Sequence, residues 1–325
     1  MGKDSKANRT ATMTIEGFNV DFSCPVNEFG GIMCDKCERF FDCQSPRKWE
    51  IYNAGRMGLV KQKMGKIRHK IATVGGKGGV GKTTVSVNLA MELALRGYKV
   101  SILDSDYDGS CVPKMLGTVG QRLKIGDQGV IPVEGPLGIQ VISMGNVVEK
   151  DQIVTWYTDL RRSATEEFLS HVDYGERDFL VVDLPPGTSA DSVNLMEFIP
   201  DIDGAVVVTI PSEVSQGIAF KAAMLCKKAR VKIFGVVENM SGHICRHCGH
   251  KNDILASGGG ESLARQIEAP FLGKIPLDGS LSRTADEGIP FVEAFPESEA
   301  AKATRIITDQ ILESMGMQGS GRSGR

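Results

Sequence analysis

The sequence predicts an α/β fold with a mostly parallel, doubly wound sheet, preceded by a small cysteine-rich segment. Short apolar runs rich in β-branched residues recur after residue 67, and helical patterns lie between them. Strands separated by helices pair through right-handed crossovers, which give a parallel sheet with helices on both faces. Apolar residues fill these runs almost completely, as expected for strands buried on both faces. A glycine-rich stretch follows the first run and opens the first helix, which predicts a phosphate site in this fold.

The predicted elements alternate along one large domain, residues 67–315, that follows a cysteine-rich segment and connector, residues 15–66. Strands are expected at 71–74, 98–103, 179–182, 205–210 and 232–237, with a hairpin in 130–144. Helices are expected at 83–96, 159–171, 190–198, 214–230 and 297–315, and a partly helical connector at 47–68. The polar composition of residues 1–14 and 316–325 predicts disordered tails.

The glycine-rich stretch from Gly76 to Thr83 matches G-x-x-x-x-G-K-[ST], the phosphate-binding loop. Its glycines let the backbone N–H groups approach an anion, and the following helix N-terminus adds partial positive charge. Lys82 is expected to reach the β- and γ-phosphates, and the Thr83 hydroxyl is expected to bind Mg²⁺. The predicted nucleotide-binding residues of the loop are Gly76, Lys77, Gly78, Gly79, Val80, Gly81, Lys82, Thr83 and Thr84.

Three acidic residues stand at or just beyond the ends of predicted strands. Asp104 and Asp106 follow the second strand, and Asp183 ends the third core strand before Pro185-Pro186-Gly187-Thr188. Ligands of open parallel sheets bind at the carboxyl ends of the strands, so all three are expected near the phosphate. Any one of them could instead cap a helix. Together, beside a phosphate-binding loop, they predict a Mg²⁺ site formed with Asp104 and Asp183.

Six of the eight cysteines fall into two clusters, which in a reducing compartment predicts metal binding rather than disulfides. The first cluster consists of Cys24, Cys34, Cys37 and Cys43. Two residues between cysteines let both sulfurs face one ion, so this set suits either a structural zinc or an iron–sulfur cluster, and the spacing alone favours zinc. The two remaining cysteines, Cys111 and Cys226, are interpreted as small core residues.

The second cluster, Cys245 and Cys248, supplies only two thiolates per chain. A zinc site completed by His243, His247 or His250 is one interpretation. A [4Fe–4S] cluster needs four ligands, and two chains related by a two-fold axis would supply them. The spacing leaves both interpretations open.

Charge and hydropathy argue against two classes of partner. Lys+Arg 38 against Asp+Glu 40 gives a net charge of −2, without the basic excess of a nucleic-acid binder. The start of the chain has no apolar segment of a signal peptide, and no apolar run reaches membrane-spanning length. We therefore expect a cytoplasmic protein with neither nucleic acid nor membrane as partner.

The motifs together resemble a known family. The stretch from Lys77 to Thr83, with its early second lysine, resembles the deviant Walker A motif of the MinD/ParA/nitrogenase iron-protein superclass of P-loop NTPases. Within that superclass, residues 104–106 followed by 113–117, residues 183–188 and residues 238–241 resemble the Mrp/Nbp-type iron–sulfur cluster carriers. The resemblance covers residues 24–315 and includes both cysteine clusters.

The resemblance implies a homodimeric ATP hydrolase that binds [4Fe–4S] clusters and passes them to apo-proteins. It implies that Lys77 reaches the partner's nucleotide, Asp106 positions the attacking water and Asn239 contacts adenine. It also implies one cluster per chain on Cys24, Cys34, Cys37 and Cys43, and one shared by Cys245 and Cys248 of two chains. Two alternatives are an ATP-driven electron-transfer component and a zinc-containing ATPase of the ParA/MinD kind.

Overall fold

The computed structural model describes most of the chain after residue 44. It describes residues 10–15, 18–25, 33, 37, 43, 45–148, 158–188, 190–244, 248, 250–252 and 258–317. The chain divides into two compact units, Met1–Gln62 and Lys63–Arg325. Among the described residues, no helix is both long and apolar enough to cross a membrane.

The first unit contains an antiparallel strand pair, β1 (Thr10–Ile15) and β2 (Phe18–Pro25). In β1, threonines alternate with Ala, Met and Ile, a pattern that favours a strand over the disordered tail expected for residues 1–14. Residues 1–9 of that predicted tail lie outside the described residues. Helix α1 (Lys48–Met64) occupies most of the predicted connector and is a continuous helix rather than a partial one.

An eight-stranded sheet organises the second unit, in the order β14-β11-β10-β3-β9-β4-β8-β7. Its strands are β3 (Ile67–Gly75), β4 (Val100–Asp104), β7 (Val133–Glu134), β8 (Gln140–Ser143), β9 (Arg177–Asp183), β10 (Gly204–Thr209), β11 (Ile233–Glu238) and β14 (Phe271–Lys274). All neighbours are parallel except β7 and β8, which form the expected hairpin. Two short antiparallel pairs lie outside this sheet: β5 (Lys124–Gly126) with β6 (Gly129–Ile131), and β12 (His243–Ile244) with β13 (Lys251–Asn252).

Helices connect the strands of the second unit. They are α2 (Lys82–Leu95), α3 (Val112–Met115), α4 (Thr158–His171), α5 (Ala190–Phe198), α6 (Glu213–Lys228), α7 (Gly259–Gln266), α8 (Gly279–Glu287), α9 (Phe291–Ala294) and α10 (Glu299–Ser314). The Ser298 side chain accepts a hydrogen bond from Ala301 N and so begins α10 two residues later than predicted. Gly97, at φ 88°, follows the end of α2 as expected for a helix-ending glycine.

The core of this unit lies on both faces of the sheet. Phe179, Val181 and Val206 are completely buried on β9 and β10. Cys226 on α6 is also completely buried, which confirms its prediction as a core residue. Cys111 is exposed just before α3, so the prediction of core packing is wrong there, because the neighbouring Val112 and Pro113 occupy the buried positions.

The predicted α/β class and mostly parallel sheet are confirmed. The five predicted strands are present, with their ends shifted by a few residues. Strand β14 and helices α7, α8 and α9 were not predicted, because each is short and follows a Gly- or Pro-containing segment.

Candidate nucleotide and cluster sites

The glycine-rich loop joins β3 to α2, as its motif requires. Gly79 and Gly81 adopt φ of 84° and 78°, a region that non-glycine residues rarely adopt. A Cβ on Gly76 would overlap the backbone of Ala219 on α6, and one on Gly81 would overlap the Asn239 amide. The loop is therefore packed closely against its neighbours, with Lys82 at the start of α2.

Asp183, the last residue of β9, holds the centre of the site. Its carboxylate accepts hydrogen bonds from Lys82 Nζ at 2.7 Å, Thr83 Oγ1 at 2.7 Å and Ser86 Oγ at 2.6 Å. Thr73 Oγ1 lies 3.2 Å from the same carboxylate. Lys82 and Asp183 are both buried, so the phosphate-binding lysine and the acid form a desolvated ion pair.

Asp104 lies beside Asp183 because the two residues are paired in the register of β4 and β9. It is completely buried and accepts hydrogen bonds from Ser143 Oγ at 3.0 Å and the backbone N of Asp106 at 3.2 Å. Burial, followed by the charge of Asp183, raises the pKa of Asp104 to about 7. The structure thus brings Asp104 and Asp183 together at the carboxyl edge of the sheet.

Asp106 lies in the loop that follows β4 and is half-buried. Its carboxylate accepts a hydrogen bond from the backbone N of Gly109 at 3.1 Å, which turns the loop back on itself. Ser105 anchors the loop, since its hydroxyl donates to the backbone oxygen of Asp183 at 2.6 Å. Asp106 is thus held at the rim of the site, while Asp104 lies inside it.

Asn239 and Lys77 contact the loop in different ways. The Asn239 side chain follows β11, is 5% exposed and donates from Nδ2 to Val80 O at 2.9 Å. Lys77 is exposed and makes no hydrogen bond or ion pair with another described residue. Asn239 therefore supports the loop within the chain, whereas Lys77 presents at the surface a cation with no ion-pair partner among the described residues.

The oxygen donors of the site suit Mg²⁺. Asp104, Asp183 and the Thr83 hydroxyl place two carboxylates and one hydroxyl together beside the phosphate loop. Mg²⁺ is a hard cation that binds through one or two carboxylates together with substrate phosphates and water. The residues present therefore fit this ion.

The structure describes only some of the clustered cysteines. Cys37 and Cys43 are half-buried, and Ser45 N donates to Cys43 Sγ at 3.5 Å. Cys24 lies on strand β2, and Cys34 is outside the described residues. Across the described ranges, no group of three or more His, Cys, Asp or Glu side chains is placed to hold a metal ion.

The second cysteine pair belongs to a loop that β12 and β13 close. His243 pairs with Asn252 and Ile244 with Lys251, and these pairs close the loop. Cys248, which lies in the chain between these two strands, is exposed in a turn that we call the loop tip, whereas Cys245 lies outside the described residues. Of the candidate zinc ligands, His243 Nδ1 lies 3.2 Å from Leu277 O, His250 is exposed, and His247 is outside the described residues.

Several residues of the site were not predicted. The hydroxyls of Thr73, Ser86 and Ser143 bind the two acids, but small hydroxyl residues in strands and helices carry no sequence pattern that identifies them. Arg161 on α4 contacts Asp108 Oδ2 at 2.7 Å and Asp191 Oδ2 at 3.2 Å. It thereby joins the loop after β4 to the start of α5, across residues far apart in the chain.

Comparison with known proteins decides the family. A family model described as ParA: NUBPL iron-transfer P-loop NTPase matches residues 66–312. The chain belongs to this family. As a P-loop NTPase, it has a fold whose general activity is nucleotide hydrolysis, and the resemblance to the MinD/ParA superclass is confirmed.

Relatives of this NUBPL-family chain cover most of its length. The iron-sulfur cluster carrier protein of Methanocaldococcus jannaschii is 40% identical over 281 residues, 86% of this chain and 95% of the relative. The human cytosolic Fe-S cluster assembly factor NUBP2 is 41% identical over 252 residues, 76% of this chain and 93% of the relative. Among solved structures, the nucleotide-binding protein of Archaeoglobus fulgidus, in complex with ADP, matches at 34% identity and TM-score 0.65. That match covers 72% of this chain and 92% of the other.

Proposed function

We propose that this chain is an ATP-dependent carrier that binds [4Fe–4S] clusters and transfers them to apo-proteins, with slow ATP hydrolysis. The observation that carries the proposal is the path from Asn239 to Cys248. Asn239 donates to the carbonyl of Val80 in the phosphate loop, and the second cysteine pair follows it by a few residues in the chain, beyond the short strand β12. The residue that supports the phosphate loop and the two cysteines are thus close neighbours in the chain. The names of the archaeal and human relatives support the cargo.

Nucleotide binding rests on residues of one chain. Lys82 exchanges its contact with Asp183 for the β- and γ-phosphates, and the backbone N–H groups of residues 76–81 surround the phosphates. Mg²⁺, held by Thr83 and Asp183 with Asp104, would neutralise the charge that develops on the phosphate oxygens. Asn239 contacts the adenine edge from its position beside the loop.

Hydrolysis requires a second chain in this proposal. Asp106, at the rim of the site, orients the water that attacks the γ-phosphate. Lys77 of one protomer contacts the nucleotide of its partner in this proposal. Its exposure, and the absence of an ion pair with any other described residue, support that role, because a cation supplied from outside would stabilise the charge on the transferring phosphate. The active species is then a homodimer with a two-fold axis.

The cargo occupies two kinds of site. Cys24, Cys34, Cys37 and Cys43 hold one cluster within each chain. Cys245 and Cys248 of two chains share another, which lies exposed at the loop tip and is suited to release. Apo iron–sulfur proteins are the acceptors, and the human relative's name supports a cytoplasmic location.

The test compares cysteine variants after anaerobic reconstitution. Cys245→Ala and Cys248→Ala should lose the shared cluster and its transfer to an apo-acceptor, while nucleotide binding stays intact. Cys111→Ala is the matched control, since this exposed cysteine belongs to neither cluster. Iron, sulfide and zinc content, dimer fraction and acceptor activation are measured for each variant.

The outcomes separate this proposal from its alternatives. Zinc in place of iron at either cluster, or unchanged transfer by both variants, would contradict the carrier function. Reduction of a partner without loss of cluster iron would instead identify an electron-transfer component.

A further inference from the structure

The Glu238 carboxylate, at the end of β11, is completely buried and is not used by the nucleotide chemistry above. It accepts hydrogen bonds from Gly260 N at 2.5 Å, from Ser241 Oγ at 2.5 Å and from Gly258 N at 3.4 Å. A buried carboxylate needs such donors. Conversely, a buried N–H or O–H group that lost this carboxylate would be left unsatisfied, which costs more free energy than one hydrogen bond contributes.

These donors lie on both sides of the loop that carries the second cysteine pair. Ser241 precedes Cys245 by a few residues, and Gly258 and Gly260 follow Cys248 at the start of α7. The Glu238 side chain therefore joins the two ends of the loop. The β12–β13 pair closes the same loop nearer to Cys248. A Cβ on Gly260 would lie 2.7 Å from Glu238 Cβ, so the glycine permits this close approach.

The same residue is connected to the phosphate site. Its neighbour Asn239 donates twice: from Nδ2 to Val80 O in the phosphate loop, and from its backbone N to Thr209 O at 2.8 Å. On the other side, Ile275 N donates to Glu238 O and Ser241 N donates to Ile275 O, each at 2.9 Å. Backbone hydrogen bonds with Thr209 and Ile275 thus hold residues 239–241 and Glu238 in place, while the Glu238 carboxylate bonds to both ends of the cysteine loop.

We propose that Glu238 is the positioning residue that ties both ends of the Cys245/Cys248 loop to the nucleotide site, and so makes cluster retention depend on nucleotide binding. The proposal rests on the carrier function for its cargo. A shift of the phosphate loop moves Asn239, and the hydrogen bonds of Glu238 transmit that shift to both ends of the loop. A nucleotide changes the loop only if it binds its two arrangements with different affinity.

The test uses Glu238→Gln, which keeps the size of the side chain but replaces one acceptor oxygen by a donor amide. Glu92→Gln is the matched control, because Glu92 is an equally buried acid on α2 that accepts from Arg96 Nη1 at 2.8 Å, away from the loop. Ser241→Ala is a milder second variant that removes one donor and serves if Glu238→Gln does not fold.

Two measurements are made on the full chain. Hydrogen–deuterium exchange of residues 239–258 is followed with and without ADP in apo-protein. Iron release to a ferrous chelator is followed in a Cys37→Ala background, in which the shared cluster is the remaining one. Release from Glu238→Gln should be faster by about tenfold, as for other residues that orient metal ligands. Its loop should exchange faster and should no longer respond to ADP, although the variant still binds ADP.

The possible results distinguish failure of the Glu238 proposal from failure of the carrier proposal. Wild-type exchange and a full ADP response in folded Glu238→Gln, or equal changes in Glu92→Gln, would overturn the role of Glu238. If wild-type protein and Cys248→Ala retain the same iron, the carrier proposal fails. The exchange experiment still decides the role of Glu238 in that case, because it needs no cluster.

Discussion

The nucleotide site and the cysteine loop are built in opposite ways. Around Asp183, four side chains of one chain form a buried network with donor–acceptor distances between 2.6 and 3.2 Å. At the loop tip, Cys248 is exposed, and a two-residue strand pair closes the loop below it. Contacts within one chain thus hold the first site in place, whereas in the proposed carrier Cys245 and Cys248 supply only half of the ligands of a cluster.

This contrast indicates which of the two sites can bind its ligand within one chain and which needs a second chain. A preorganised phosphate site spends no binding free energy on ordering its own residues. In the proposed carrier, the thiolate pair gains its remaining ligands from another chain, so its affinity for a cluster would depend on dimerisation. Lys77, which is exposed and makes no ion pair with another described residue, follows the second pattern in our proposal, because there it acts on the nucleotide of a partner.

The largest expected effect separates the two lysines of the phosphate loop. Lys82→Ala should abolish nucleotide binding, because the buried ammonium that contacts Asp183 is the one placed to reach the phosphates. Lys77→Ala should keep binding but lose hydrolysis by about 10³-fold, the lower end of what a trans-acting cation contributes. Equilibrium nucleotide binding and phosphate release measure the two effects.

Lys221→Ala on the exposed face of α6 is the control for loss of a surface charge. Hydrolysis at the wild-type rate by Lys77→Ala would show that the phosphate site is complete within one chain, and the contrast with the cysteine loop would disappear.

A smaller effect should come from the free-energy cost of burying Asp104 beside Asp183. Because the folded-state pKa of Asp104 is raised from 3.8 to about 7, folded protein resists its ionisation while unfolded protein does not. The contribution of Asp104 to the free energy of unfolding is therefore fully present below about pH 4 and is lost as the pH rises towards 7. Between pH 5 and pH 7 the loss amounts to about 2 kcal/mol, because the slope starts near about 1.4 kcal/mol per pH unit and falls to half of that as the pH reaches 7.

Asp104→Asn should remove this slope. Urea unfolding of both proteins at pH 5, 6, 7 and 8, without Mg²⁺, gives the difference in the free energy of unfolding. Relative to wild type, the free energy of unfolding of Asp104→Asn should rise up to pH 7 and then level off. A difference that is constant with pH would mean that Asp104 is ionised in the folded protein throughout.

The smallest effect distinguishes a packing cysteine from the clustered ones. Cys226→Ala should lower the free energy of unfolding by about 1 kcal/mol, because it leaves a small cavity under α6. Nucleotide affinity and iron content should stay unchanged. Thermal unfolding and iron analysis test this, with exposed Cys111→Ala expected to change neither. Loss of iron in Cys226→Ala would make it a ligand rather than a core residue.

The sequence predicted the sheet and the charged residues of the site better than the contacts between them. Gly76–Thr83 and Asp183 are identified by spacing and by the apolar strands before them, which depend on local order in the chain. Glu238 also ends an apolar strand, but its partners Gly258 and Gly260 come after a long loop, so their meeting depends on tertiary packing. Arg161 joins Asp108 to Asp191 for the same reason, and no local pattern identifies it.

In the proposed carrier, one chain holds one cluster alone and shares another with its partner. Native mass spectrometry of the anaerobically reconstituted full chain tests this arrangement, because it counts clusters and chains in the same particle. We predict monomers with one [4Fe–4S] cluster and dimers with three, of which Cys248→Ala dimers lose the third. Monomers with the full iron complement per chain, or dimers with zinc at the second cysteine pair, would contradict it.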